Sequence, residues 1–414
     1  MTHGVDSREA WRIAIVSTLM LSIVFGSPYI TITALKTIAA DLGGERSVPS
    51  GASALAWLGT GVGGLMMGLI AERIGTRATV ALGAASVALG LVLSSGGSAW
   101  QLYAGHAVFI GLIGTGAINA PIYIYVSRWF EARRGTAIAL ITSGQYAAGA
   151  LWPPLFERVI GAWGWQRTMF GFGIIVAMLV VPLALLTLKP PPEVPSSDMP
   201  PAGAGSRASS SDRGISIPPN VTFALLALAS FLCCIPMALP TAHLISFCGD
   251  LGMAPGRGAA MLSVLLVCAF FSRQFWGWLS DRIGGLYTLI ICSTAQAMAV
   301  SGFILTQDEA GLFAVSIAFG LGFSGLIPAY ILACRQLFPA SEAAWRIPAL
   351  LLMGLSGMAA GGWLGGVIYD HFGSYLPAFM TGLASNLVNL AILIFVVLTW
   401  RKPQTSTSVT TAAA

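Results

Sequence analysis

The stretch Gly258–Gly285 reads GAAMLSVLLVCAFFSRQFWGWLSDRIGG, an apolar run that Arg273 interrupts once before Asp281-Arg282 closes it. An apolar run of this length predicts a helix that spans a membrane. At a rise of about 1.5 Å per residue, Arg273 lies roughly 12 Å along the helix from Asp281, well inside a hydrocarbon layer about 30 Å thick. The sequence therefore places one permanent positive charge within a span.

A charge at this depth needs a partner. Inserting an arginine at mid-membrane costs about 2.5–3.5 kcal/mol, and a guanidinium cannot escape by losing its proton. All sixteen acidic residues lie in predicted loops or at span ends. We therefore interpret Arg273 as the receptor for an anionic ligand, most simply a carboxylate held by two charge-assisted hydrogen bonds. The alternative is an arginine satisfied by backbone carbonyls and water.

The composition supports a membrane protein. Of 414 residues, 56% are hydrophobic and 9% are charged, which excludes an ordinary soluble domain and predicts an all-α polytopic membrane protein embedded in a lipid bilayer. The basic residues fall in short loops, and no basic module for nucleic acid is present. The six cysteines lack metal-ligand spacing. We predict no metal, no cofactor and no enzymatic activity, because the spans contain no paired acids and no Ser/His/Asp set.

The hydropathy pattern predicts twelve spans in two sets of six. The first set is 12–38, 51–71, 78–97, 102–127, 136–160 and 168–188, and the second is 220–247, 258–279, 286–305, 311–333, 347–369 and 375–399. The predicted domains are an N-terminal bundle at 1–188, a disordered Pro/Ser/Gly-rich linker at 189–218 and a C-terminal bundle at 219–414. Fifteen of the 21 Lys and Arg residues then lie on the side of the linker and both termini, which the positive-inside rule makes cytosolic.

The two halves repeat a loop motif. The sequence from Gly68 to Arg77, GLIAERIGTR, is echoed 209 residues later by Gly277 to Gly284, GWLSDRIG. A parallel duplication of six spans is typical of a transporter whose site lies at mid-membrane between its halves.

This loop motif and the six-plus-six layout resemble the major facilitator superfamily over nearly the whole chain. The resemblance implies that charges of the motif pair with helix ends and close the cytosolic side by gating; the alternative is that they only set topology. The predicted gating residues are Gly68, Glu72, Arg73, Gly75, Arg77, Gly277, Asp281 and Arg282.

Other stretches resemble the monocarboxylate transporters and the oxalate/formate antiporters. They are RWFEARRG at 128–135, GWQR at 164–167, PTAHL at 240–244 with DLG at 250–252, and RQFWG at 273–277. In that family an arginine in span 8 binds the substrate carboxylate, a role that falls here on Arg273. Two departures matter. Span 11 has no second cation from Ile347 to Tyr369, which disfavours a dianion, and Ala269 stands where animal monocarboxylate transporters have an aspartate.

Four further residues are predicted to line the path. Asn119 and Tyr123 share a face of span 4, Tyr330 holds a similar place in span 10, and Tyr29 lies where Pro28 is expected to bend span 1. Similar transporters use tyrosines on these helices to hydrogen-bond substrate, but each tyrosine has an alternative as a helix-packing residue.

Two charged or titratable residues have open roles. His243, near the end of span 7, is the candidate for carrying or sensing a proton, with helix packing as the alternative. Lys36, at the end of span 1, either extends to the membrane interface or attracts anions.

The sequence thus predicts a secondary active transporter for a small organic monocarboxylate, working by alternating access as a proton symporter or an anion exchanger. We expect a monomer in a bacterial inner membrane. The alternative functions are an exporter of drug-like or other organic solutes, which predicts membrane-embedded acids, and a non-transporting receptor, which needs a larger soluble domain.

Overall fold

The structure is a computed structural model, and it describes residues 5–131, 133–189, 217–254 and 256–399. These residues form helices and short turns. Residues 190–216 of the predicted linker and the C-terminal residues 400–414 lie outside the described residues. The long apolar helices are Arg8–Thr33, Ser47–Ile74, Thr76–Ser94, Ala99–Ser127, Arg134–Thr187, Pro219–Asp250, Arg257–Ile283, Gly285–Leu305, Glu309–Leu337, Ala340–Phe372 and Leu376–Thr399.

The fifth of these helices is two spans. Gly164 has φ 79° and ψ 164°, which is not helical, so the chain reverses there between residues 134–163 and 165–187. The described residues therefore contain twelve spans, as predicted, and we number them 1 to 12 in chain order. The sequence predicted a seven-residue break between spans 5 and 6, whereas the structure turns on one glycine.

Span 1 is bent, as the proline predicted. Its first helix ends at Val24 and a second begins at Gly26, so that Phe25 forms the joint. Pro28 lacks the N–H that would bond to the carbonyl of Val24, and this missing bond explains why the bend lies a turn before the proline. A third short helix, Leu35–Asp41, continues beyond the span and carries Lys36.

Buried hydrophobic side chains form two separate cores. One core draws only on residues between Ala10 and Leu188, and the other draws on residues between Leu226 and Val396 together with Ile32. Because the spans alternate in direction, spans 1 and 7 begin at one end of the molecule, here called the linker end. They finish at the opposite end, here called the Arg46 end.

Two helix pairs contribute most of the packing between the halves in the described residues. Span 2 packs on span 11, where Gly51 lies against Trp363 and Gly61 lies against Leu352. Span 5 packs on span 8, where Gly149 lies against Leu266. The sites between the halves are therefore built from spans 1, 2 and 5 on one side and from spans 7, 8 and 11 on the other.

The repeated motif has the same backbone in both halves. Gly75 ends span 2 with φ 85° and ψ 150°, and Gly284 ends span 8 with φ 86° and ψ 160°. Side-chain-bearing residues rarely adopt this region, so the glycine of the motif is required by the sharp turn into the next span.

We expect Gly75→Ala to lower the stability of the protein by about 1–3 kcal/mol, because alanine strains this left-handed conformation. A Cβ at Gly75 would meet no other atom, so backbone strain alone is tested. Gly68→Ala is the matched control, since Gly68 has equal space around it but ordinary helical backbone. The measurement is the midpoint of thermal unfolding in detergent, and equal midpoints for the two variants would contradict the argument.

Candidate functional site

Arg273 lies at the junction of spans 8 and 5. Its Nη1 donates a hydrogen bond of 3.3 Å to the backbone carbonyl of Thr142, and its guanidinium lies over the ring of Tyr146 at 4.8 Å. Its Nε is buried without a hydrogen-bond partner. Across the described chain, no carboxylate forms an ion pair with Arg273. One backbone carbonyl therefore satisfies only part of the guanidinium.

Tyr146 is a site residue that the sequence interpretation missed. It belongs to span 5 of the N-terminal half, yet its ring packs edge-on against Phe323 of span 10 at 6.0 Å. Its ring therefore lies between the halves and supports the face of the Arg273 guanidinium. A tyrosine at helical spacing in an apolar span carries no signal that separates this role from packing.

Two predicted tyrosines lie near this pair. Tyr123 of span 4 is close enough to interact electrostatically with both Arg273 and Tyr146. Tyr29 of span 1 interacts with Tyr146 in the same way, and its hydroxyl lies beside Gly149 of span 5. Neither hydroxyl has a protein hydrogen-bond partner among the residues described. The Oδ1 atom of Asn119, one turn from Tyr123, is buried and also unpartnered.

Tyr330 is placed differently. Its ring is 1% exposed within the C-terminal core, and its hydroxyl donates to Asn389 of span 12 at 2.8 Å. Asn389 in turn contacts Asn386 and Ser293. Tyr330 thus belongs to a polar network inside the C-terminal bundle, and the structure does not bring it together with Arg273.

A cavity lies between the halves on the Arg46 side of Arg273. Its lining comes from spans 1, 2 and 5 of one half and spans 7 and 11 of the other: Phe25, Pro28, Tyr29, Ile32, Ser53, Ala54, Trp57, Gln145, Ala238, Thr241, Ala242, Met358 and Gly362. Arg273 itself does not line it. Tyr29 connects the two features, because it lines the cavity and also neighbours Tyr146.

The Arg46 end is closed by ion pairs between the halves. Arg46, in the loop before span 2, donates from both terminal nitrogens to the carboxylate of Asp250 at the end of span 7, at 2.5 and 2.8 Å. Lys36 reaches the same carboxylate at 2.9 Å. The Lys36 ammonium therefore pairs with an acid of the other half, while its side chain stays 44% exposed.

A second acid adds to this closure. The carboxylate of Asp370, near the end of span 11, accepts from the backbone N–H groups of Arg46 and Ser47 at 2.7 and 2.8 Å. These N–H groups begin span 2, so an acid of one half caps a helix of the other. The guanidinium of Arg46 also lies over the ring of Tyr369 at 3.5 Å. We call Lys36, Arg46, Asp250 and Asp370 the seal.

The environment keeps Arg46 charged. Burial alone would lower its pKa, but the hydrogen-bonded Asp250 carboxylate outweighs burial and raises the pKa of the guanidinium above its ordinary value. Arg46 is 7% exposed, so its charge is held between Asp250 and two tyrosine rings. A fixed, paired cation of this kind binds the two halves together at this end.

His243 is attached to the seal through one tyrosine. His243 is fully buried, with Nε2 at 2.7 Å from the carbonyl of Gly362 and Nδ1 at 3.2 Å from the hydroxyl of Tyr375. A carbonyl only accepts, so Nε2 carries the proton and Nδ1 accepts from Tyr375. The Tyr375 oxygen accepts from Arg46 at 3.0 Å. Burial raises the pKa of Tyr375, which keeps this hydroxyl protonated.

The linker end is arranged in the opposite way. Glu72, Arg73 and Arg77 of the first motif and Asp281 and Arg282 of the second are exposed. Within the ranges that the structure describes, none of them forms an ion pair, and Arg282 instead lies over Trp278 at 4.1 Å. In the described residues, ion pairs therefore hold the two halves together at the Arg46 end, and the motif charges at the linker end form none.

The sequence model of the Major Facilitator Superfamily matches residues 16–345. Monocarboxylate transporter 13 of Bos taurus is 25% identical over 329 residues, which cover 78% of this chain and 74% of that protein. The agnestins efflux protein AgnL12 of Paecilomyces divaricatus is 23% identical over 263 residues, 63% of this chain and 57% of that protein.

A solved structure agrees in fold. The bacterial homologue of the human lysosomal transporter Spinster, in an inward-facing and unoccupied conformation, superposes with a TM-score of 0.71 at 14% identity, covering 96% of this chain and 99% of that one. The family match over most of the sequence and the twelve-span fold show that this chain belongs to the Major Facilitator Superfamily, a family of membrane transporters.

Proposed function

We propose that the protein is a secondary transporter that moves an organic monocarboxylate across a bacterial inner membrane by alternating access. The observation that carries this proposal is Arg273, a cation inside a span whose Nε lacks a partner and whose guanidinium lies over the ring of Tyr146. A carboxylate can take two bonds from a guanidinium, and it would supply the negative charge that no described acidic residue brings to Arg273.

The anion should carry one negative charge. Span 11 has no Lys or Arg from Ile347 to Phe372, and Lys36 and Arg46 are already paired in the seal. A dicarboxylate would bring a second charge into a low-dielectric site that has no second cation to meet it. Asn119, Tyr123, Tyr29 and Tyr146 would supply neutral hydrogen bonds around the single ion pair.

The seal supports alternating access. Fifteen of the 21 Lys and Arg residues lie on the side of the linker and both termini, so the positive-inside rule assigns the linker end to the cytosol and the Arg46 end to the outside. In this assignment the structure is closed to the outside, and the described motif charges at the cytosolic end form no ion pairs. A full cycle would break the seal at the outer end while the motif at Glu72–Arg77 and Asp281–Arg282 pairs at the cytosolic end.

Two coupling modes are compatible with the site. In anion exchange, a second carboxylate replaces the first on Arg273, which never changes charge. In proton symport, the proton travels with the substrate or on a group such as His243. Efflux of larger organic solutes is the second candidate, favoured by the similarity to AgnL12, and it predicts transport of uncharged compounds that do not depend on Arg273.

The test is counterflow in proteoliposomes. We expect internal unlabelled monocarboxylate to accelerate entry of labelled monocarboxylate, while a dicarboxylate of similar size produces little acceleration, because Arg273 can neutralise one charge only. An imposed inward pH gradient separates the modes, since a symporter accumulates substrate from it and a strict exchanger does not. Equal acceleration by both acids, or by neither, would contradict the proposal.

A further inference from the structure

We propose that Arg46 and Lys36 form an outer binding site for the carboxylate of the carried anion, and that Asp250 occupies this site whenever the Arg46 end is closed. The inference rests on the proposed function, which supplies the carboxylate as the ligand. It adds an entry site that is separate from Arg273.

The seal already shows how this site holds a carboxylate. Arg46 donates from Nη1 and Nη2 to the two oxygens of Asp250, at 2.5 and 2.8 Å. The Nζ atom of Lys36 lies 2.9 Å from the same oxygen that Nη2 contacts. Two positive charges therefore converge on one carboxylate, and the planar guanidinium binds it through two parallel hydrogen bonds.

Among the residues that the structure describes, the side-chain partners of these two cations all come from the C-terminal half. Asp250 ends span 7 and pairs with both of them. Tyr369 and Tyr375, which lie against the Arg46 guanidinium, flank the turn between spans 11 and 12. Separation of the halves at this end therefore removes every one of these partners together.

The nearby acids of the N-terminal half do not take the place of Asp250. Asp41 accepts a hydrogen bond from the indole N–H of Trp165 at 2.7 Å. Glu45, next to Arg46 in the sequence, is exposed and forms no ion pair within the described part of the chain. The open entrance thus presents two adjacent cations that a carboxylate from solution can bind.

Charge is unevenly divided between the halves at the Arg46 end. The C-terminal half presents four acids and one arginine there, whereas the N-terminal half presents four basic residues and three acids. The four acids are Asp250, Asp308, Glu309 and Asp370. An anion that approaches the open entrance is therefore repelled by the C-terminal half and attracted to the half that carries Arg46 and Lys36.

Lys36 gives an arriving anion access to the site before the end opens. Its side chain is 44% exposed while it is paired, whereas the side chain of Arg46 is 9% exposed. A carboxylate that binds Lys36 competes with Asp250 for it, and transfer of this carboxylate to Arg46 frees Asp250. Binding therefore stabilises the open form, because the anion replaces the ion pair that opening breaks.

The first experiment measures opening of the Arg46 end in the full-length protein. The protein carries Arg273→Lys, which removes the inner carboxylate site, and Thr241→Cys in a background without native cysteines. A membrane-impermeant maleimide is added on the Arg46 side, in sodium acetate or in sodium chloride of the same concentration. We expect labelling to be about threefold or more faster in acetate, because a carboxylate takes both hydrogen bonds of the Arg46 guanidinium and chloride does not.

A matched pair of lysine variants locates this effect. Lys36→Gln should lower the ratio of the acetate rate to the chloride rate toward one. Lys189→Gln is the control, since Lys189 is also exposed and pairs with Glu9 at 2.9 Å, but at the linker end. That variant should keep the full ratio.

The outcomes separate this site from the one at Arg273. Equal rates in the two salts, or a ratio that Lys36→Gln leaves unchanged, would overturn the outer site. An acetate effect that appears with Arg273 intact and disappears in Arg273→Lys would also overturn it, while supporting the carboxylate site at Arg273. An effect that survives Arg273→Lys and depends on Lys36 supports the outer site.

A second measurement does not depend on labelling. Asp250→Asn removes the internal carboxylate, so in the Arg273→Lys protein it should lower the acetate concentration that gives half of the thermal stabilisation by about tenfold. Asp308→Asn is the control, because Asp308 lies at the same end and bonds only within its own helix start. An unchanged acetate dependence in Asp250→Asn would overturn the inference.

Discussion

Replacing Arg273 by lysine should reduce carboxylate uptake by about ten- to a hundredfold while the protein remains inserted and folded. A charge-assisted hydrogen bond contributes about 1.5–3 kcal/mol, and an ammonium cannot offer the planar pair of donors that a guanidinium presents to a carboxylate. Lysine also loses the stacking on Tyr146, which holds the guanidinium in place at 4.8 Å.

Initial rates of labelled-substrate uptake in proteoliposomes provide the measurement. Arg257→Lys is the control, because Arg257 begins the same span but is 55% exposed and pairs with Glu309 on the C-terminal half. That variant should transport normally. Near-normal uptake by Arg273→Lys, with thermal stability equal to the control, would remove Arg273 from the substrate site.

Asp250→Asn should open the Arg46 end. The substitution removes the shared partner of Arg46 and Lys36 and leaves Arg46, 7% exposed, without its ion pair. Breaking a buried pair costs about 3–5 kcal/mol, enough to shift a two-state equilibrium by more than about a hundredfold. We therefore expect the population closed at this end to become the minor one.

A cysteine at Thr241 in a cysteine-free background reports this change, because Thr241 lines the cavity beneath the seal. A membrane-impermeant maleimide added on the Arg46 side should label it slowly in the parent and at least tenfold faster in Asp250→Asn. Asp308→Asn is the control, since Asp308 lies at the same end, is exposed and bonds only within its own helix start. Equal labelling in all three proteins would show that Asp250 does not hold this end closed.

The sequence predicts a functional or structural role most clearly where one residue differs in chemistry from the residues around it. Arg273 is visible because a charge in an apolar run is expensive wherever the helix points, and Gly75 and Gly284 are visible because the motif recurs. The number of spans also follows from hydropathy. These features depend on local composition, which a single chain displays directly.

The pairings between halves could not be predicted in the same way. Arg46 and Asp250 are 204 residues apart, and nothing in the sequence around either one indicates the other as its partner. The role of Tyr146 depends on which face of span 5 meets span 8, and that angle is set by glycines such as Gly149 packing against Leu266. Tyr330 shows the opposite error. Its residue type and its depth in the membrane suit a substrate contact, but its side chain faces the core of its own bundle.

The hydrogen bonds at the Arg46 end all donate in one direction, from Arg46 through Tyr375 and His243 to the carbonyl of Gly362, and this direction has a consequence for pH. If His243 gained a second proton, its Nδ1 would become a donor, and both Nδ1 and Arg46 would donate to the Tyr375 oxygen. Two positive charges would then lie close together. The nearby acids are Asp370 and Asp250, and Asp250 is already shared by Arg46 and Lys36. A second proton on His243 would therefore oppose the closed Arg46 end. Acid at the Arg46 end is therefore expected to favour the open entrance.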